Sequence, residues 1–143
     1  MTDFKQVFLD TSPIIYVLDT GTTYTDITEQ IFQKLFSQKT ELFTSVVSIE
    51  EYLVYPYKQN DYGKIKRFFT FLDDNNISVV NIDKEIAIEA ANFRAKYVGF
   101  KGMDALQLAA AFCQGADAFL TNDKQLLQCQ EVNCVLIETF KKD

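Results

Sequence analysis

The chain is predicted to fold as a single three-layer α/β/α domain over residues 1–143, with a central parallel sheet covered by helices on both faces. Three observations predict it. Short apolar runs of strand length alternate with longer segments whose apolar residues recur at helical spacing. No linker, low-complexity tract or internal repeat divides the chain, and 143 residues suit one core. Several apolar runs stop abruptly at an acidic residue, as in VFLD at Asp10 and AFLTND at Asp123. In open α/β folds, the carboxyl ends of buried strands are where ligands are held.

The elements follow in order. Gln6 to Leu9 reads as a short buried strand, after which Asp10-Thr11-Ser12-Pro13 starts a helix with Ser12 as cap and Pro13 in the first turn. Thr25 to Ser37 places Ile27, Ile31, Phe32, Leu35 and Phe36 on one helical face. Glu41 to Thr44 is a strand, and the next helix starts at Thr44 or Ser45 and ends near Pro56. Asp61 to Asp73 is helical through Tyr62, Ile65, Phe68, Phe69 and Leu72, and Asp74-Asn75-Asn76 turns the chain into the strand Ile77 to Val80. Lys84 to Val98 and Asp104 to Gln114 are helices separated by Gly99 and Gly102. Gly115 stops the second, and strands at Ala118 to Thr121 and around Asn133 to Ile137 complete the sheet.

Composition removes several chemistries. The chain has no His, so neither a Ser-His-Asp arrangement nor a His general base is available. Its three cysteines, Cys113, Cys129 and Cys134, lack metal-ligand spacing, and Cys113 reads as a small core residue in an Ala-rich helix. The net charge of −6 argues against nucleic-acid binding by bulk charge, though not against a nuclease with a few local cations. No apolar run is long enough to span a bilayer, and MTDFKQVFLD has neither the basic start nor the apolar stretch of a signal peptide. A cytoplasmic protein that does not enter membranes is expected.

What remains is carboxylate chemistry. Asp10, Asp104 and Asp123 each sit at a strand or helix end. Converging there, they would repel by about 4 kcal/mol per close pair at an effective protein dielectric, so a cation is expected to share the space. Carboxylate oxygens without imidazole or thiolate suit Mg²⁺ or Mn²⁺, and such ions support phosphodiester hydrolysis. Taken singly, each acid also has a purely local explanation: Asp10 in a turn, Asp104 in a helix first turn, Asp123 as a cap.

The segments FLDTSPIIY, TSVVSIEEYLVYP, MDALQLAAA and GADAFLTND, in this order and spacing, resemble PIN-domain proteins, and the whole looks like a VapC-type toxin ribonuclease from about Phe4 to Phe140. The resemblance implies a Rossmann-like parallel sheet and an acidic cluster that binds Mg²⁺ or Mn²⁺ to cut RNA. Carried over by position, it assigns Asp10, Asp104 and Asp123 to the metal, and a Glu as the fourth catalytic acid. The family's Glu, two residues before the Leu and five before the Pro, selects Glu51 over Glu50. Helical periodicity leaves that choice open. Glu51 is expected to orient the attacking water or a second ion, with Thr11, Thr121 and Asn122 fixing carboxylate rotamers.

Arg94, Lys96 and Lys101 precede Asp104 closely and are candidates for steering RNA phosphates. Lys64, Lys66 and Arg67 lie beside Phe68, Phe69 and Phe71, but those aromatics stand at core spacing. The resemblance also implies a small antitoxin partner and a homodimer, with Tyr52, Tyr55 and Tyr57 available to a partner groove. Two rival readings remain. Haloacid-dehalogenase-type phosphatases need a second Asp where this chain has Ser12, and receiver domains add an acidic pair after the first strand and a Lys after the last, whereas Gln6 to Leu9 leads to Asp10 alone. A PIN-fold binding module without turnover is the alternative from another class, opposed by acids at all four positions.

Overall fold

The computed structural model describes residues 3–140. Five strands, β1 (Gln6–Leu9), β2 (Glu41–Ser45), β3 (Ser78–Val80), β4 (Ala118–Thr121) and β5 (Cys134–Leu136), form one sheet in the order β3-β2-β1-β4-β5. Every pairing is parallel. Six helices join them: α1 (Thr11–Leu18), α2 (Thr25–Ser37), α3 (Val46–Lys58), α4 (Tyr62–Asp74), α5 (Lys84–Lys96) and α6 (Gly102–Gln114). The expected three-layer α/β/α arrangement is therefore present. None of the described helices is long and apolar enough to cross a membrane.

Alternation along the strands divides the core in two. Val7 and Leu9, with Leu42, Ala118 and Leu120, pack on one face against Ile14, Ile31, Phe32, Leu35, Phe68 and Leu72 from α1, α2 and α4. Phe8 and Phe119 turn to the other face, toward Ile86, Ala90 and Phe93 of α5 and Ala105 and Leu108 of α6. Phe8 stands opposite Phe119 in the register, and their rings stack with centroids 5.7 Å apart. Each fully buried side chain of this size contributes about 1.5–3 kcal/mol, so the sheet has its anchor on both faces.

Sheet order places the site. The chain runs from β1 outward through β2 and β3, then returns to β1's other side with β4 and β5. The order in which strands are added therefore reverses between β1 and β4, and a crevice opens beyond their carboxyl ends. Asp10 follows β1 directly, and its backbone N–H continues the ladder by donating to Leu120 O at 3.0 Å. Asp123 lies two residues beyond β4.

Several local expectations are corrected. α1 begins at Thr11, with Asp10 rather than Ser12 as N-cap, because the Asp10 carboxylate accepts from Thr11 N at 2.8 Å. α3 passes through Pro56 to Lys58, since a proline near the last turn forfeits little more than its own hydrogen bond. α6 starts two residues early, at Gly102, which puts Asp104 at its third helical position. Cys113 is exposed, because the last turn of α6 projects past the sheet that buries Ala105 to Ala111. Cys129 is buried and Cys134 half-buried. Phe68 lies in the core and Phe71 packs against it, but Phe69 remains 41% exposed. Tyr52 is buried, stacked on Phe68, and donates to Asp19, while Tyr55 and Tyr57 are exposed.

Candidate active site

Beyond the carboxyl ends of the strands lies a cleft of about 550 Å³, lined by Glu51, Lys101, Gly102, Met103, Asp104, Leu106, Asp123 and Gln125. Three of the four expected acids thus share one wall-to-wall space. Asp10 is half-buried beside it and feels the charges of both Glu51 and Asp104. Asp104 in turn feels Asp123. The four carboxylates form one electrostatic group, although they come from β1, α3, α6 and the turn after β4.

Each acid is held by a specific partner. The two oxygens of Asp10 divide their work: Oδ1 accepts from Thr11 N, and Oδ2 accepts from Thr121 Oγ1 at 2.7 Å. The same Thr121 hydroxyl accepts from Asp123 N at 3.1 Å, so one side chain ties the acid after β1 to the acid after β4. Asp123 Oδ1 accepts from Gln125 N at 3.0 Å and caps the 3₁₀ helix Lys124–Gln128. Glu51 Oε1 accepts from Thr11 Oγ1 at 2.6 Å. Asp104, at the third position of α6, takes a backbone hydrogen bond from Lys101, the N-cap residue.

The group is electrically strained. Burial raises the Asp10 pKa to about 6 from an ordinary 3.8, the bonds from Thr121 and Thr11 oppose that rise, and the charges of Glu51 and Asp104 add to it. Burial likewise raises Asp104, assisted by Asp123 and opposed by Lys101. A rigid fold thus holds negative charge where it is disfavoured. As the side chains stand, no three His, Cys, Asp or Glu among the described residues close into a shell around one point. Each carboxylate instead accepts from a protein donor: Asp10 from Thr11 N and Thr121, Glu51 from Thr11, Asp104 from the Lys101 backbone and Asp123 from Gln125 N. The donor set nevertheless fits a hard divalent cation: all oxygen, negatively charged, and each Asp10 oxygen with a lone pair left beyond its single hydrogen bond.

The other expected residues divide. Thr11 and Thr121 do contact carboxylates. Asn122 does not; its amide donates to Tyr16 Oη at 3.4 Å and accepts from Glu138 N at 3.3 Å, which braces the turn instead. Lys101 lines the cleft, and the Arg94 guanidinium lies beside Gly102 at its edge. Lys96 is turned away: its ammonium pairs with Glu131 at 3.0 Å and lies over the Tyr97 ring, so the structure does not bring it to the acids. Glu50 and Glu51 are both exposed on α3, but it is Glu51 that lines the cleft and reaches Thr11.

Sequence reasoning missed a polar network beneath the acids. Gln107, Ser45, Ser48 and Thr44 are all buried, and with Thr11 they connect α6, β2, α3 and α1. Its trace in the sequence is a polar Gln inside the apolar run ALQLAAA and a Thr-Ser pair ending β2.

The PIN domain family model matches residues 7–140. No protein of curated function matches by sequence. Among solved structures, VapBC2 from Rickettsia felis bound to a DNA fragment from its promoter superposes with a TM-score of 0.75 at 12% identity, covering 92% of this chain and 98% of that one. FitAcB from Neisseria gonorrhoeae gives 0.72 at 14% identity, covering 94% and 99%. Mycobacterium tuberculosis VapC20, described as a Sarcin-Ricin loop cleaving toxin, gives 0.64 at 13% identity, covering 79% and 86%. These likenesses agree in the fold, and with the family match over nearly the whole length the chain belongs to the PIN domain family.

Proposed function

We propose that the protein is a metal-dependent endoribonuclease that hydrolyses RNA phosphodiester bonds, acting as the toxin of a toxin–antitoxin pair. One observation carries the reading: Glu51, Asp104 and Asp123 line one cleft, with Asp10 held beside them at a pKa of about 6 by burial and like charge. A fold keeps such a costly arrangement when a cation or a reaction uses it. The family membership and the toxins among the structural neighbours support the same reading.

Asp10, Asp104 and Asp123 would hold Mg²⁺ or Mn²⁺. When bound, the ion supplies charge neutralisation at the phosphoryl oxygens and lowers the pKa of water. Glu51, fixed by Thr11, is the group positioned to accept a proton from the attacking water, a task that falls to a carboxylate because the chain has no His. Thr121 keeps Asp10 and Asp123 in register with each other. Lys101 and Arg94 at the cleft edge would receive RNA phosphates. A small antitoxin masks the cleft, the toxin works as a homodimer, and both act in the cytoplasm.

The test is direct. Purified protein with a panel of RNAs and Mn²⁺ should cleave, and a chelator should stop it. An intact RNA panel under those conditions would leave the chain a binding module.

A further inference from the structure

The buried network beneath the acids converges on one side chain. Gln107 is 1% exposed, and its amide is oriented by proton bookkeeping. Ser45 Oγ accepts from Val47 N at 3.1 Å, which leaves its proton for Gln107 Oε1 at 2.6 Å. The amide oxygen therefore faces Ser45 and the amide nitrogen faces Ser48 Oγ, at 2.8 Å, with Thr11 Oγ1 at 3.5 Å. Ser48 lies 3.1 Å from Thr11, and Thr11 gives its proton to Glu51, because a carboxylate can only accept. Thr44 gives its proton to Leu9 O, so Ser48, 2.8 Å from Thr44, has one proton for two neighbours; the directed path runs from the Gln107 amide to Thr11 at 3.5 Å and from Thr11 to Glu51.

The positions match the acids turn for turn. Gln107 lies three residues after Asp104 on α6, and Ser48 three residues before Glu51 on α3, so each helix presents its acid and its network member on one side. Thr11 is the neighbour of Asp10. One amide thereby joins the three elements that carry Asp10, Glu51 and Asp104. Fold stability alone does not call for it: apolar side chains of similar volume would fill the same space without needing partners.

We infer that Gln107 is a positioning residue that sets the spacing of Glu51 and Asp10 against Asp104, and through it the affinity of the cleft for a divalent cation. This rests on the nuclease reading. Groups behind metal ligands typically govern about 10–100-fold in metal affinity or activity.

The experiment is a Mn²⁺ titration of the full chain followed by paramagnetic resonance, with RNA cleavage measured alongside. Gln107→Met keeps the volume and removes the amide; it should weaken Mn²⁺ binding about tenfold and lower kcat while KM for RNA holds. Ser45→Ala removes the anchor of the amide oxygen together with the cap on Val47 N, and a two- to threefold loss is expected. It decides the matter should Gln107→Met not fold. In a Thr11→Val background, Gln107→Met should add little further loss, since the hydroxyl that carries the network to Glu51 and to the neighbour of Asp10 is gone. A folded Gln107→Met or Ser45→Ala protein with wild-type Mn²⁺ affinity overturns the inference, as does a Gln107→Met effect that persists fully without the Thr11 hydroxyl. In either case wild-type cleavage leaves the nuclease reading standing. Wild-type protein that neither binds Mn²⁺ nor cuts RNA overturns both.

Discussion

Asp10 and Asp117 stand at opposite ends of the central strands, and their environments are opposite too. Asp117 precedes β4 at the amino edge of the sheet, where Oδ2 accepts from Lys5 N at 2.7 Å and Gln6 N at 2.9 Å. Those two bonds lower its pKa. Asp10, at the carboxyl edge, also accepts two hydrogen bonds, yet burial and its acidic neighbours overcome them and its pKa rises to about 6. A hollow of about 320 Å³ at the amino edge is lined by Lys39, Thr40, Asn75 and Asn76, with Glu41 its single acid. Hydrogen bonding therefore does not mark a site here. Accumulated like charge that the fold tolerates does.

The comparison can be broken most sharply with Asp104→Asn. At the carboxyl edge it should cost more than about 100-fold in metal-dependent cleavage, beyond what residues behind ligands typically cost, with the circular dichroism spectrum unchanged. Full activity in that variant would strip the edge of its chemical meaning.

Stability should then respond with opposite signs at the two ends. A folded pKa of about 6 against an unfolded 3.8 means that the folded state binds the extra proton. Stability contributed by neutral Asp10 is full below about pH 3.8 and is lost as pH rises through 6, a change of about 3 kcal/mol. Asp10→Asn should therefore be more stable than wild type at pH 7.5 in urea unfolding, and the gain should vanish near pH 4. A loss at pH 7.5 would mean that the carboxylate is not held against its charge.

Lys101→Ala should raise KM for RNA a few-fold with kcat little changed, since an edge cation contributes mainly to encounter. The smallest effect belongs to the amino edge. Asp117 has a depressed pKa, so its contribution is present above the unfolded value and is lost as pH falls through the folded one. Asp117→Asn should lower the Tm modestly at pH 7, less so in acid, and leave cleavage untouched.

Much of this was legible in the sequence where local rules dominate. The strand before Asp10, the helical faces of α2 and α4 and the acids at element ends all follow from periodicity and breakers. Which residues meet across the fold did not. Lys96 and Lys101 look alike five positions apart, but only tertiary structure supplies Glu131 to one and the cleft to the other. Gln107 escaped notice because its partners lie 59 to 96 residues away. Cys113 was misplaced because composition near a helix end does not report where the underlying sheet stops.

The central claim is that four acids from separate elements act as one cation site. A Mn²⁺-soaked crystal tests it most directly through anomalous scattering. A peak is expected in the cleft within coordination distance of Asp10, Asp104 or Asp123 oxygens. A peak elsewhere, or none at saturating Mn²⁺, would contradict it.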